Sequence, residues 1–308
     1  MQSALIQGFA ELHALPDSFV QDAQRWLIPL ADSLRARIML TNSESGAHDA
    51  LLIGVSGCQG SGKSTASELL ANLLQAEGMR TATLSLDDFY YGRAQREALA
   101  TQQHPLFRTR GVPGTHDIAL AQATLEALNG RGPQRGAPVP LPRFDKANDE
   151  PHPPALWPLV EPAQAGRPYV DAIIFEGWCM GALPQTEEQL SVACNALEQQ
   201  EDPAGLWRGY ANACLAQTYQ PLFTRLDTLI YLAAPRFECV EHWRNRQEQR
   251  LRSAQGGAGD ALMDAAAIHR FVQHFERLTR HCLDTLPARA DVTLLLDEQQ
   301  RIVSSTLD

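Results

Sequence analysis

Residues Gly57-Cys58-Gln59-Gly60-Ser61-Gly62-Lys63-Ser64 fit the phosphate-binding pattern G-x-x-x-x-G-K-[ST]. Glycines in such a loop let successive backbone N–H groups converge on phosphate oxygens with no Cβ in the way. A helix that starts directly afterwards turns its positive end toward the same anion. Lys63 then reaches the β- and γ-phosphates and the Ser64 hydroxyl ligates Mg²⁺, with Thr65 closing the nucleotide-contacting stretch. The chain is expected to bind a nucleoside triphosphate with Mg²⁺.

Further chemistry is expected where the strands of an α/β sheet end, because ligands bind beyond their carboxyl ends. Asp87-Asp88-Phe89-Tyr90 follows the apolar run 81–86. A carboxylate there faces the γ-phosphate, and Asp87 is the candidate to accept a proton from an acceptor hydroxyl. The competing reading of this pair is a helix cap or Asx turn, and two adjacent aspartates allow both roles. Glu176 ends the apolar strand Tyr169–Phe175 in the position where a hard carboxylate contacts Mg²⁺, a contact Asp87 could share. The helix from Glu238 carries Arg244, Arg246, Arg250 and Arg252 and runs into the glycine-rich stretch 255–259. Arg244 and Arg252 could stabilise a transferring phosphoryl group on a mobile lid, 238–259. Arg244–Glu248 and Glu248–Arg252 are also i,i+4 pairs, as in any solvated helix, and the residues alone leave both readings open.

The elements that must position these groups are readable in outline. An apolar run (50–56), the loop, a helix (64–77) and a second run (81–86) make a βαβ unit, which implies a parallel sheet. A helix near 117–129 follows, then further buried strands at 169–175, 227–232 and 291–296. Ile268, Phe271, Val272, Phe275, Leu278 and Cys282 form one stripe of an amphipathic helix. Ten of the 19 prolines fall between Gly130 and Pro168, a constrained loop of the kind that carries function. Residues 1–45 read as a helical extension kinked at Pro29, and 46–308 as the nucleotide-binding domain. The expected fold is a three-layer α/β P-loop NTPase domain with a mainly parallel sheet.

Composition excludes several classes. The 308 residues carry a formal net charge of −10, which argues against nucleic acid as the main partner. Six cysteines without a C-x-x-C pair give neither a zinc ribbon nor a disulfide framework, as expected of a reduced, cytoplasmic protein. No apolar stretch is long enough for a membrane span, and no signal peptide is visible.

Taken in order, several motifs resemble the D-glycerate 3-kinases, members of the phosphoribulokinase, uridine kinase and pantothenate kinase group of P-loop kinases. They are the P-loop, Ser85–Tyr90, Arg110-Gly111-Val112-Pro113-Gly114-Thr115-His116-Asp117 and Pro142-Arg143-Phe144-Asp145-Lys146. Phe175-Glu176-Gly177-Trp178 and Trp243-Arg244 with Glu248 and Arg252 complete the set, which spans about residues 50 to 285. The P-loop, the Asp-x-Phe-Tyr cluster and Phe-Glu-Gly occur across the group, and the other stretches are similar to the glycerate kinases in particular. The resemblance implies transfer of the ATP γ-phosphoryl group to the 3-hydroxyl of D-glycerate, with Asp87 taking the proton and Ser64 and Glu176 organising Mg²⁺. It also favours the lid reading of the 238–259 helix.

A small carboxylate acceptor requires fixed cations near Asp87. Arg110, His116, Arg143 and Lys146 are the candidates, with Asp88, Tyr90 and Asp117 counted among the acceptor-side residues. His116 could instead be a structural histidine, and Asp117 could cap the helix that starts there. The alternatives to a glycerate kinase are a related kinase for pantothenate, a nucleoside or a sugar phosphate, and a nucleotide-binding regulator without transfer activity.

Overall fold

The computed structural model describes residues 1–44, 49–132, 135–163, 168–254 and 265–307, with backbone only for 42–44 and 247–254. Its centre is one six-stranded sheet. The strands are β1 (Leu51–Gly57), β2 (Thr81–Ser85), β3 (Ala172–Gly177), β4 (Thr228–Ala233), β5 (Val292–Leu296) and β6 (Ile302–Ser305). Their order is β6-β5-β4-β1-β3-β2. Every neighbouring pair is parallel except β6 against β5.

Helices cover both faces, which is why β1, β3 and β4 are mainly apolar and buried along their whole length. Alternate residues of β1 divide between two cores. Leu51, Ile53 and Val55 join the P-loop helix Lys63–Ala76 and the N-terminal helices, among them Ile28–Glu44. Leu52 points the other way, to the core shared with helix Ile118–Leu128 and with Phe275 and Cys282 of the long helix Ala265–Thr285.

The first 44 residues form helices Gln2–Leu12, Asp17–Asp22 and Ile28–Glu44, with a π-helical turn at Ala23–Leu27 just before Pro29. Proline has no N–H for the i−4 carbonyl, which accounts for the irregular turn at this point. Leu27, Leu30, Leu34 and Ile38 are buried against the P-loop helix side of the sheet. Asp22 fastens this segment to β6. Its oxygens accept from Arg301 Nε and Nη2, both at 2.7 Å, and from the Ile302 N–H at 3.1 Å. The division placed after residue 45 falls on 45–48, outside the described residues.

The proline-rich stretch is not without structure. Val139–Pro140 pairs antiparallel with Leu159–Val160, and Phe144–Asp145 with Glu150–Pro151. The second hairpin matters for the site.

Because Leu34 is 2 % exposed within the core that also holds the P-loop helix, Leu34→Ala should cost about 2–5 kcal/mol. Urea denaturation reads this as a lower midpoint, with the activity of the folded fraction unchanged.

Candidate active site

The P-loop leaves β1 and enters its helix through two glycines in the left-handed region, Gly60 (φ 79°) and Gly62 (φ 86°). A Cβ on Gly60 would lie 2.7 Å from the Cβ of Trp243. Trp243 is fully buried, and its indole N–H donates to the Glu298 carbonyl at 2.8 Å. Gln300 Nε2 donates to the Gly60 carbonyl. The loop is thus braced from behind by helix Glu238–Ala254 and by the turn before β6. Burial pushes the Cys58 thiol up to about 12, so this cysteine offers the loop its backbone and no thiolate.

Glu176 stands at the centre of the strand ends. The register pairs Val55 with Glu176 and Ser85 with Glu176, which sets the P-loop on one side of it and the turn after β2 on the other. Its Oε1 accepts from Ser64 Oγ at 2.9 Å and from Ser85 Oγ at 2.8 Å. Its Oε2 lies 3.9 Å from Lys63 Nζ and is buried without a hydrogen bond. A buried carboxylate oxygen left open beside a P-loop serine suits a hard cation that takes its remaining ligands from phosphate and water.

Asp87 follows in the 3₁₀ turn Leu86–Phe89. Lys146 Nζ donates to its Oδ2 and Tyr90 Oη to its Oδ1, both at 2.7 Å. Burial alone would raise this carboxyl. Lys146 and Lys63, with the two hydrogen bonds, outweigh that and hold it far below the usual carboxylate range. Asp87 is therefore ionised at every physiological pH.

A cleft of about 390 Å³ opens between these groups, within the size range of small-molecule sites. Lys63, Ser64 and Thr65 line it opposite Asp87, Tyr90, Arg110 and Lys146. Arg244 reaches it from helix Glu238–Ala254, its guanidinium carbon 5.6 Å from the Phe271 ring centroid. Trp178, Phe271 and Phe275 supply an apolar wall.

Several expected acceptor residues lie elsewhere. His116 is buried behind Tyr90, stacked on it at 4.5 Å, with Nδ1 2.6 Å from Tyr219 Oη. Desolvation pushes its pKa down to about 3, partly opposed by Asp87, so His116 is neutral and serves as no cation for a substrate. Asp117 caps helix Ile118–Leu128 by accepting from the Leu120 N–H at 2.8 Å. Asp88 accepts from the Phe144 N–H at 3.1 Å and pairs with Arg143 at 3.5 Å, and neither lines the cleft. These two tie the 144–151 hairpin to the turn that carries Asp87. The side chain of Arg252 and the stretch 255–259 lie outside the described residues. Phe271, Phe275 and Gln300 also line the cleft and were not foreseen there. The two phenylalanines belong to the stripe that marks a core face, and periodicity does not separate a core from a pocket wall.

A parallel sheet with a P-loop, a magnesium-type carboxylate and a second ionised carboxylate across one cleft defines a P-loop kinase. No family model matches the chain. It is 32% identical over 264 residues to an uncharacterized kinase of Schizosaccharomyces pombe, mug58, covering 81% of this chain and 88% of that one. It is 29% identical over 273 residues to the chloroplastic D-glycerate 3-kinase of Arabidopsis thaliana. That match covers 85% of this chain but 55% of the plant protein, so the chain spans about half the length of that relative. Its fold matches the D-glycerate 3-kinase from Cryptococcus neoformans with a TM-score of 0.70 at 24% identity, over 90% of this chain and 98% of that one. The chain belongs to the same family as the Schizosaccharomyces kinase, with D-glycerate 3-kinase among its relatives. It is an ATP-dependent kinase. No helix among the described residues is long and apolar enough to cross a membrane.

The neutral His116 has a consequence for stability. Its folded pKa of about 3 lies below the unfolded value of about 6.5, so the unfolded chain binds the extra proton between them. The stability associated with it is complete above about pH 6.5 and falls as the pH drops toward 3. Urea denaturation at pH 7 and pH 5 should show this loss, and His116→Gln should flatten it.

Proposed function

We propose that the chain transfers the γ-phosphoryl group of ATP to a hydroxyl of D-glycerate, giving 3-phosphoglycerate and ADP. The observation that carries this reading is the juxtaposition of one ionised carboxylate, Asp87, with two cations, Lys146 and Arg110, across a small cleft from the P-loop. Cationic side chains beside Asp87 suit an acceptor that carries a carboxylate, and its hydroxyl is then brought to Asp87. The Arabidopsis relative named for D-glycerate supports the choice of acid.

In this mechanism the P-loop amides and Lys63 hold the β- and γ-phosphates. Ser64 and Glu176 would hold Mg²⁺, with Asp87 a further candidate, and the metal would neutralise phosphate charge. The acceptor hydroxyl attacks phosphorus, the bond to the ADP oxygen breaks, and the hydroxyl proton passes to Asp87. Paired with Lys146, Asp87 is a weak base. When the substrate carboxylate draws Lys146 to itself, Asp87 loses a counter-charge and its proton affinity rises. Tyr90 keeps the carboxylate oriented through its 2.7 Å hydrogen bond. Arg244, on the 238–259 segment read as a lid, adds positive charge where the phosphoryl group crosses. The 130–168 stretch is read as the acceptor loop, since it delivers Lys146.

Two measurements test this. With ATP, D-glycerate should release ADP well above background, whereas turnover on pantothenate, a nucleoside or a sugar phosphate but not on glycerate removes the assignment. Asp87→Asn should lower kcat by roughly 10²–10⁴-fold with the KM for ATP little changed. Unchanged turnover would mean that Asp87 only shapes its turn.

A further inference from the structure

Resting on the glycerate reading above, we infer that Asp149 is a positioning residue for the acceptor site, acting through Arg110. Asp149 closes the turn of the hairpin Phe144–Pro151 in the left-handed region, at φ 57°, a conformation that aspartate tolerates better than most side chains. Asp145 shapes that turn by accepting from the Ala147 and Asn148 N–H groups, both at 3.0 Å. The carboxylate of Asp149 then meets three arginines: the exposed Arg93 places Nε 3.6 Å from Oδ2, and two others hydrogen-bond to it. Oδ2 accepts from Arg96 Nη2 at 2.6 Å, and Oδ1 accepts from Arg110 Nη1.

The two arginines are not equivalent. Arg96 is 3 % exposed, and its Nε and Nη1 donate to the Tyr91 and Arg108 carbonyls. It anchors Asp149 from below and does not line the cleft. Arg110 does line the cleft, beside Tyr90 and Lys146, with its guanidinium 5.5 Å from the Phe144 ring centroid. A guanidinium offers five N–H donors in a rigid fork. Fixing Nη1 on Asp149 sets the orientation of the fork in the cleft. The same four-residue turn carries Lys146, which reaches Asp87. One hairpin therefore sets both acceptor-side cations, Lys146 directly and Arg110 through Asp149.

The experiment is a double-mutant cycle of Asp149→Asn and Arg110→Ala, with kcat, the KM values for D-glycerate and ATP, and the melting temperature as readouts. Asp149→Asn should raise the KM for D-glycerate roughly 10- to 100-fold, the range for losing a charge-assisted hydrogen bond at the acceptor. The KM for ATP should stay within a factor of about three, and in the Arg110→Ala background the same change should add little. Equal losses for ATP and glycerate, or an undiminished effect without Arg110, would make Asp149 merely structural and overturn the inference. If Asp149→Asn cannot be purified folded, Asp149→Glu keeps the charge but displaces it by a methylene. An acceptor KM unchanged in that variant overturns the inference as well. Wild-type protein inactive on D-glycerate removes the reading beneath it, and with it this role. Wild-type activity with unaltered variants removes Asp149 alone.

Discussion

A loop that binds a triphosphate attracts anions, yet two carboxylates stand at its mouth, and the structure depends on how their charge is balanced. The chain has two lysines, and each answers one of those carboxylates. Lys63 lies 3.9 Å from Glu176 in a nearly dry setting, and Lys146 lies 2.7 Å from Asp87 at the open side. The difference in exposure matters, since a charge pair is screened far more at a surface than when buried. The Lys63–Glu176 pair lies on the buried side, next to the P-loop. The Lys146–Asp87 pair, with the lysine side chain 59 % exposed, faces the open cleft.

The sheet makes this balance possible. Parallel strands end together, and the registers through Glu176 bring the P-loop and the Leu86–Phe89 turn to one level without any long connection. What sits beyond the strand ends is then fixed by short-range contacts. Trp243 stands against Gly60, the 297–301 turn reaches back to the loop through Gln300, and Asp88 holds the hairpin by the Phe144 N–H. The phosphate side is braced by buried groups. The acceptor side is held by hydrogen bonds at the ends of longer side chains.

Sequence patterning conveyed these two sides unequally. The P-loop, β1, β3 and the helix after the loop were readable because buried parallel strands are uninterrupted apolar runs and the glycine spacing has few other causes. Asp87 and Glu176 followed from their place at strand ends. β6 was missed because Ile302-Val303-Ser304-Ser305 is short and half polar, an edge strand with little apolar signal. His116 and Asp117 were expected among the acceptor residues because residue type carries no information on burial, and only the packing of Tyr90 and Tyr219 shows the imidazole enclosed. Asp149 had no local signal, since its partners Arg96 and Arg110 lie 53 and 39 residues away.

The two acceptor-side cations differ in a way that suits the proposed reaction. An arginine is a planar fork whose value lies in being held at one angle, and Asp149, Arg96 and the Phe144 ring hold Arg110. A lysine is a point charge on a flexible stem that can change partner without losing its geometry. Lys146 has a partner to leave, Asp87, and departure alters that partner's proton affinity in the direction that base catalysis requires. Were the two exchanged, an arginine forked onto Asp87 would keep the carboxylate paired through the whole cycle, while a lysine on Asp149 would present the acceptor with no fixed plane. On the proposed reading, placing the movable charge on the base and the fixed one on the substrate would tie binding of the acid to activation of its own hydroxyl.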